Sequence, residues 1–537
     1  MKGINPKNQK NPSLDSSLGR GLVGLLLSAM GAAAFTLAFP PYNLWPLALI
    51  WMVPVQLALH RIMPKSWSGL ALGVGVGGFF WGYFGGMFAG IPFMHYLPIG
   101  IGAIATLMGY RERIFHLRTG YRWYVVQGVI IWVGIEMIRG FIPVIGTWGF
   151  AAYTLYALPW LIQPVSVFSI YGLSALLMLS NFVLARCALD VWDHWGAVRG
   201  TSSFRLSANR SGGCLLLLVL VIGWTGLSLL MYQTPKPTLT VAAIQPGQPL
   251  RETSSSPFDE ASWVPMLEQT RKAAQRGARF ISWPEAYLPF DPQTTGTAQL
   301  RQLTREEDIY LAIGYAVSTP QGLRNEATVL APNGEFLGIF GKDHPVVFAG
   351  ETSLTRGTYP VYDTSIGRLG TIICYDLDFT DTTRKIARNG AQIIAVPSWD
   401  WPEIAHKHYS HVVFRAIENR VAMIKADMAH DSVIVDPFGN IIERHVTTHP
   451  TARVLTADVA HGTPNTLTMR WGDWVGWLCL VGMVVLLLAD INLEVKVRKR
   501  RAGGSNSRFK HDDQHRDLSI NHVQPLPPSH PRGKDEV

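Results

Sequence analysis

Along its first ~235 residues the chain repeats one pattern: an apolar run, then a short polar break. A helix needs about 20 mostly apolar residues to cross a bilayer's hydrocarbon. Runs near that length lie at 21–39, 44–62, 69–90, 94–110, 122–141, 160–185 and 213–232. One more, "RWGDWVGWLCLVGMVVLLLAD", lies near 470–490. The pattern predicts about eight transmembrane helices. The first is too closely followed by others to read as a cleaved signal peptide. Between 236 and 468 the pattern shortens. "TLTVAAIQ", "ARFISWPE", "IYLAIGYAV", "NEATVLAP", "EFLGIFGK", "LGTIICYD", "AQIIAVPSW" and "VAMIKADM" are brief apolar runs rich in β-branched residues. Helical patterns at 260–276, 296–307, 380–389 and 406–420 alternate with some of them. Strands alternating with helices predict a layered α/β domain. "APNGEF" and "DPFGNI" predict hairpin turns.

Charge adds an orientation. The basic residues gather in alternate connections: Lys2 to Arg20; His60, Arg61 and Lys65; Arg111 to Arg122; Arg186 to Arg210; and "KVRKRR" after the last span. With eight spans these segments share one side, cytoplasmic by the positive-inside rule. The organisation expected is a cytoplasmic tail (1–20), seven spans (21–235), an extracytoplasmic domain (236–468), a final span (469–492) and a disordered basic tail (493–537). The basic loops set topology and are not nucleic-acid surfaces. Glu136 and Arg139, near the outer end of the fifth span, read equally as a functional pair or as an i, i+3 ion pair.

Composition narrows the chemistry. Charged residues make up 16% of the chain, against about 25% in soluble proteins. Four cysteines show neither CxxC pairing nor zinc spacing. Cys374 stands apart, at the end of "GTIIC", where a buried strand must turn. Glu285 follows "RFISWP" and Lys342 ends "EFLGIFGK", two further strand tips. Singly, these three read as a buried cysteine, a turn carboxylate and a solvated lysine. Together they place a nucleophile, a base and a cation at strand carboxyl ends, where α/β active sites gather. His408 and His411 have a helix-face spacing beside His406. With no HExxH pattern or acidic partner, they read as a polar helix start, not a metal site. Trp399 and Trp401 read as packing more than as a substrate lip.

"WPEAYLP", "GKDH" and "ICYDLDF", in this order, resemble the Glu–Lys–Cys triad of the nitrilase superfamily. With spans on both sides of the domain, and with "EMIRGF" and "PVSVFSIYGLSALLMLSNFVLA" in the membrane part, residues ~20–490 resemble the bacterial apolipoprotein N-acyltransferases. The resemblance implies a multi-pass α-helical membrane domain plus an α/β nitrilase-like αββα sandwich in the inner membrane, facing the periplasm. It implies Glu285 as general base, Lys342 as oxyanion and thiolate stabiliser, and Cys374 as the nucleophile that carries the acyl group. Tyr375 would add a backbone N–H to the oxyanion hole, and Asp376 and Glu351 would support the triad. For Glu351 a surface turn reads equally well. The implied substrates are a phospholipid donor and a diacylglyceryl-modified lipoprotein acceptor, handled by a monomer without cofactor. Asp376, where these acyltransferases usually carry glutamate, leaves a membrane-tethered amidase as the alternative. A catalytically inert partner in lipoprotein processing is the third reading.

Overall fold

The computed structural model describes residues 16–87, 92–198, 208–250 and 263–516. Most of the N-terminal tail and everything after Arg516 lie outside the described residues. The chain divides into one unit up to Met483 and a second from Val484.

Helices occupy every apolar run. They are α1 (Ser17–Ala38), α2 (Met52–Leu57), α3 (Gly69–Phe84), α4 (Leu97–Thr119), α5 (Tyr124–Arg139), α6 (Val165–Val198) and α7 (Ala208–Met231). Short helical turns flank α2, so that Trp45–Ile62 forms one helical stretch. Among the described residues, five helices are long and apolar enough to cross a membrane: α1, Trp45–Ile62, Val165–Trp195 of α6, Gly212–Met231 of α7 and Trp474–Lys499. The other three expected spans are helices as well, shorter or more polar than these five. α3 and α5 have 16 residues each, and α4 ends in the charged stretch "YRERIFHLRT". α3 and α4 pack backbone to backbone. A Cβ on Gly69 would lie 2.3 Å from Thr106 O, and one on Gly77 2.9 Å from Gly102 Cα. Small residues at such spacing let membrane helices approach closely.

α6 is broken at Ser169, whose φ of 56° is non-helical. The amides freed by the break are not left bare. Ser169 N–H donates to Thr468 Oγ1 (3.0 Å) and Ile170 N–H to Glu418 Oε1 (2.9 Å), both from the α/β region and its exit.

The α/β region holds two six-stranded sheets. The strands are β1 (Leu239–Gln245), β2 (Phe280–Ser282), β3 (Tyr310–Thr319), β4 (Gly322–Leu330), β5 (Phe336–Gly341), β6 (Val361–Thr364), β7 (Gly367–Thr371), β8 (Ile393–Ser398), β9 (Ala422–Asp427), β10 (Asp431–Val435), β11 (Ile441–Val446) and β12 (Arg453–Val459). One sheet runs β12-β1-β2-β3-β4-β5, the other β11-β10-β9-β8-β7-β6. Each has a parallel centre, β1-β2-β3 and β7-β8-β9, with antiparallel flanks. The sheets face each other across Val241, Phe280, Leu369, Ile393 and Ile424. Outside the first lie α8 (Val264–Gln275) and α9 (Thr297–Glu307), seated through Met266, Leu300 and Leu303. Outside the second lie α10 (Thr380–Arg388) and α11 (Pro402–Asn419). The result is the expected αββα sandwich. The core under α11 continues into the helical domain: Val412, Val413 and Phe414 share one cluster with Phe79, Trp148 and Tyr153. The chain leaves through α12 (Leu467–Trp471) and α13 (Trp474–Arg516). α13 runs past residue 495, where a disordered tail was expected, because "INLEVKVRKR" carries no proline or glycine to stop it.

Candidate functional site

The three strand-tip residues meet. Glu285 lies three residues beyond β2, after a proline, and Ala286 behind it has φ +50°. Room for that turn comes from β3: a Cβ on Gly314 would lie 2.3 Å from Pro284 O and 2.8 Å from Glu285 Cα. Lys342 directly follows β5, its backbone N–H bonded to Asn325 O (2.9 Å). Its Nζ donates to Glu285 Oε1 (2.7 Å) and Glu351 Oε2 (2.8 Å). Asn325 Nδ2, from the middle of β4, donates to the same two carboxylates at 2.7 and 2.6 Å. Glu351 thus belongs to the cluster and not to a surface turn.

Cys374 opens a 3₁₀ turn, Cys374–Asp378, just past β7, with φ +43°. A non-glycine residue there costs about 1–3 kcal/mol and needs support. Asp376 supplies it, accepting from the N–H groups of Ile373 (2.9 Å), Asp343 (3.1 Å) and His344 (2.8 Å). One carboxylate therefore fixes the cysteine turn and the loop after Lys342 together. The helical domain holds the far end of the turn. Tyr375 OH donates to Pro143 O (2.9 Å), and Thr147 donates to Asp378 O through both N–H and Oγ1 (2.9 Å each). Glu136 and Arg139 brace that loop and form no ion pair with each other among the described contacts. Glu136 Oε1 accepts from Ala151 N–H (3.0 Å), and Arg139 donates to Trp148 O.

Cys374, Glu285 and Lys342 line a cavity of about 620 Å³, closed on its other side by Met87, Val144 and Trp148 of the helical domain. Trp399, 46% exposed, stands on its wall. Trp401 also lines it but is tied down, its Nε1 donating to Met87 O (2.7 Å).

The site's charge is tuned by burial. Burial pushes the Glu285 carboxyl up, against the pull of Lys342. Burial works against the Lys342 ammonium, but Glu285, Cys374 and Glu351 outweigh it and hold the charge firmly. Burial, then Glu285 and Asp400, raise the Cys374 thiol well above its usual value. Lys342 and a backbone hydrogen bond at Trp399 act the other way. Burial thus favours the Cys374 thiol, beside the Glu285 carboxyl and a held cation in the same cavity.

A second set of polar groups was not anticipated. Cys374 Sγ lies 3.5 Å from Asp400 Oδ1. Asp400 is held by His408 Nδ1 (2.8 Å) and Lys425 Nζ (2.8 Å), and Lys425 also meets Asp431 (3.1 Å). Asp400 and Asp378 overcome burial and raise His408 to about 10. His408 and His411 are therefore not a polar helix start. Both are buried, and their acidic partners, Asp378 and Asp400, come from elsewhere in the chain. The signal was present in "VAMIKADM": a lysine and an aspartate inside a buried strand require internal partners.

Two family profiles match the chain: "Carbon-nitrogen hydrolase" over residues 240–463, and "Apolipoprotein N-acyltransferase N-terminal domain" over residues 31–183. An apolipoprotein N-acyltransferase of Geobacter metallireducens is 26% identical over 511 residues, 86% of this chain and 94% of its own. An omega-amidase of Mus musculus is 27% identical over 206 residues, 32% of this chain and 75% of its own. Among solved structures, an amidase from Nesterenkonia sp. is similar at 20% identity and a TM-score of 0.35, covering 44% of this chain and 94% of that one.

Proposed function

The chain belongs to the apolipoprotein N-acyltransferase family of the carbon-nitrogen hydrolase superfamily, and we propose that its Glu285–Lys342–Cys374 cluster carries out the acyl transfer. The family's reaction is lipoprotein N-acylation. Glu285 takes the proton of Cys374, and the thiolate attacks an ester carbonyl of a phospholipid. Lys342 and the backbone N–H groups beside Cys374 and Trp399 receive the oxyanion. The lysophospholipid alcohol leaves with the proton from Glu285, and the acyl chain remains as a thioester on Sγ. The α-amine of the acceptor's lipid-modified cysteine then attacks. Glu285 accepts its proton, the amide forms, and the proton returns to Sγ.

The observation that carries this reading is one cavity with two kinds of wall. The Cys374–Lys342–Glu285 side is polar, and Met87, Val144 and Trp148 close the other side from the helical domain. Such a cavity suits an acyl chain that has not left the bilayer. The alternating basic loops support placing it on the outer face of the inner membrane. The test is intact-mass measurement after incubation with phospholipid. Wild type gains one fatty-acyl mass, Cys374→Ala gains none, and a diacylated lipopeptide discharges the adduct as an amide. Discharge by water alone would mean an amidase-type hydrolase, the reading Asp376 favours. A Cys374 that neither acylates nor reacts with thiol probes would mean an inert relative.

A further inference from the structure

Asp378, His408 and His411 form a cluster that the acyl-transfer chemistry does not use. All three are buried, and their ligating atoms lie within 4.8 Å of one another. Asp378 Oδ1 is 2.6 Å from His411 Nδ1 and 3.4 Å from His408 Nε2. Both are carboxylate–imidazole ion pairs. Beyond these two ion pairs, Asp378 Oδ2 and His411 Nε2 lack a hydrogen-bond partner. An unsatisfied buried polar atom is costly, and such atoms call for a partner. Here one ligating atom from each of the three residues converges.

The surroundings distinguish an ion from a water. His408 turns its other nitrogen, Nδ1, to Asp400 at 2.8 Å, and Lys425 holds that carboxylate at 2.8 Å. A carboxylate behind a histidine is the arrangement that orients a metal-binding imidazole and sharpens its donor atom. The two imidazole planes cross at 80°. Two nitrogens and one carboxylate, with ligand bonds of about 2.0–2.2 Å, put donors roughly 3.3–3.5 Å apart around a tetrahedral ion. The His408–Asp378 contact already has that spacing, and the His411–Asp378 contact must open by under ~1 Å.

We propose that Asp378, His408 and His411 bind one divalent cation of the zinc class. Its fourth position is left to water from the cavity that Asp378 and His408 line. The ion takes the place of the His408 Nε2 proton and ties the cysteine turn to α11. Cys374 is not a ligand. The alternative set, Cys374–Asp400–His408, also converges, but Lys425 already fills it with a positive charge.

The experiment uses the full-length protein in detergent, purified without metal affinity, stripped with chelator and titrated with cobalt(II). One equivalent should bind and give visible d–d bands. Asp378→Asn and His411→Ala should lose them, and Cys374→Ala should keep them. Thermal unfolding and thiol labelling of Cys374 report whether each variant is folded. If His411→Ala is not, His411→Leu, which has no donor atom, replaces it. Absence of bands in excess cobalt, with His408 keeping its proton, overturns the proposal. So do bands that survive His411 substitution, or bands that vanish in Cys374→Ala. Acylation of Cys374 is measured separately, so neither result decides the other.

Discussion

Lys342 is a buried cation between two carboxylates, and its charge fixes the roles of its neighbours. With Glu285 and Glu351 both within 2.8 Å, the ammonium is the site's permanent charge. In the proposed mechanism Glu285 is the group that must change. Its carboxyl is raised by burial, so the ionised base is lost as pH falls through a value above the usual glutamate pKa of about 4.3. Acylation of Cys374 should therefore show an acid limb displaced upward from that value, with the rate rising as pH rises. Glu285→Gln should remove the limb and slow acylation by about 10²–10⁴-fold, read as the rate of acyl-adduct formation across pH. At this scale the sequence exposed whatever sits at a strand tip. Glu285, Lys342 and Cys374 each end an apolar run, and a polar residue there stands out. Asn325 and Asp400 did not stand out, because polar residues in "RNEAT" and "SWDW" look like ordinary strand ends and turns.

Among the elements, β3 does more than pair. Gly314 lets the Glu285 turn cross its backbone, and any side chain there would collide with Pro284 O. Gly314→Ala should leave the sandwich folded and move Glu285. A displacement near 1 Å costs about 10²-fold in rate. A lower unfolding temperature, with adduct formation by the folded protein reduced at least on that scale, is the expected result. α11 was legible as a helix, but its role was not. Its buried face, Val412 to Asn419, reads in sequence as a mixed polar surface because its partners lie hundreds of residues upstream. β6 and β12 escaped for another reason. β6 has four residues, and β12 alternates at a sheet edge, too weak a pattern to see without its partner β1.

Across the whole molecule, the sandwich and the helical domain share polar contacts as well as a core. Glu418 pairs with Arg415 (3.2 Å) and accepts from Ile170 N–H at the α6 break. Glu418→Ala leaves the buried Arg415 guanidinium without its ion-pair partner, with only Tyr153 OH to receive it, and the Ile170 amide without its acceptor. It should destabilise the protein by about 3–5 kcal/mol, seen as a lower unfolding temperature in detergent. Glu418→Gln, which keeps the acceptor, should cost less. The membrane–sandwich architecture was readable from the two periodicities. The contact between the halves was not, because it uses single residues far apart in the chain.

The break in α6 also orders the protein's manufacture. Ile170 is synthesised 248 residues before the glutamate that receives its N–H, and Ser169 is 299 residues before its threonine. At about 5–20 residues per second, the ribosome takes roughly 10–60 s to supply them. For that time the start of α6 has no permanent partner and must borrow one from water or the insertion machinery. A nascent chain stopped before Glu418 lacks both acceptors, and one stopped between Glu418 and Thr468 lacks one.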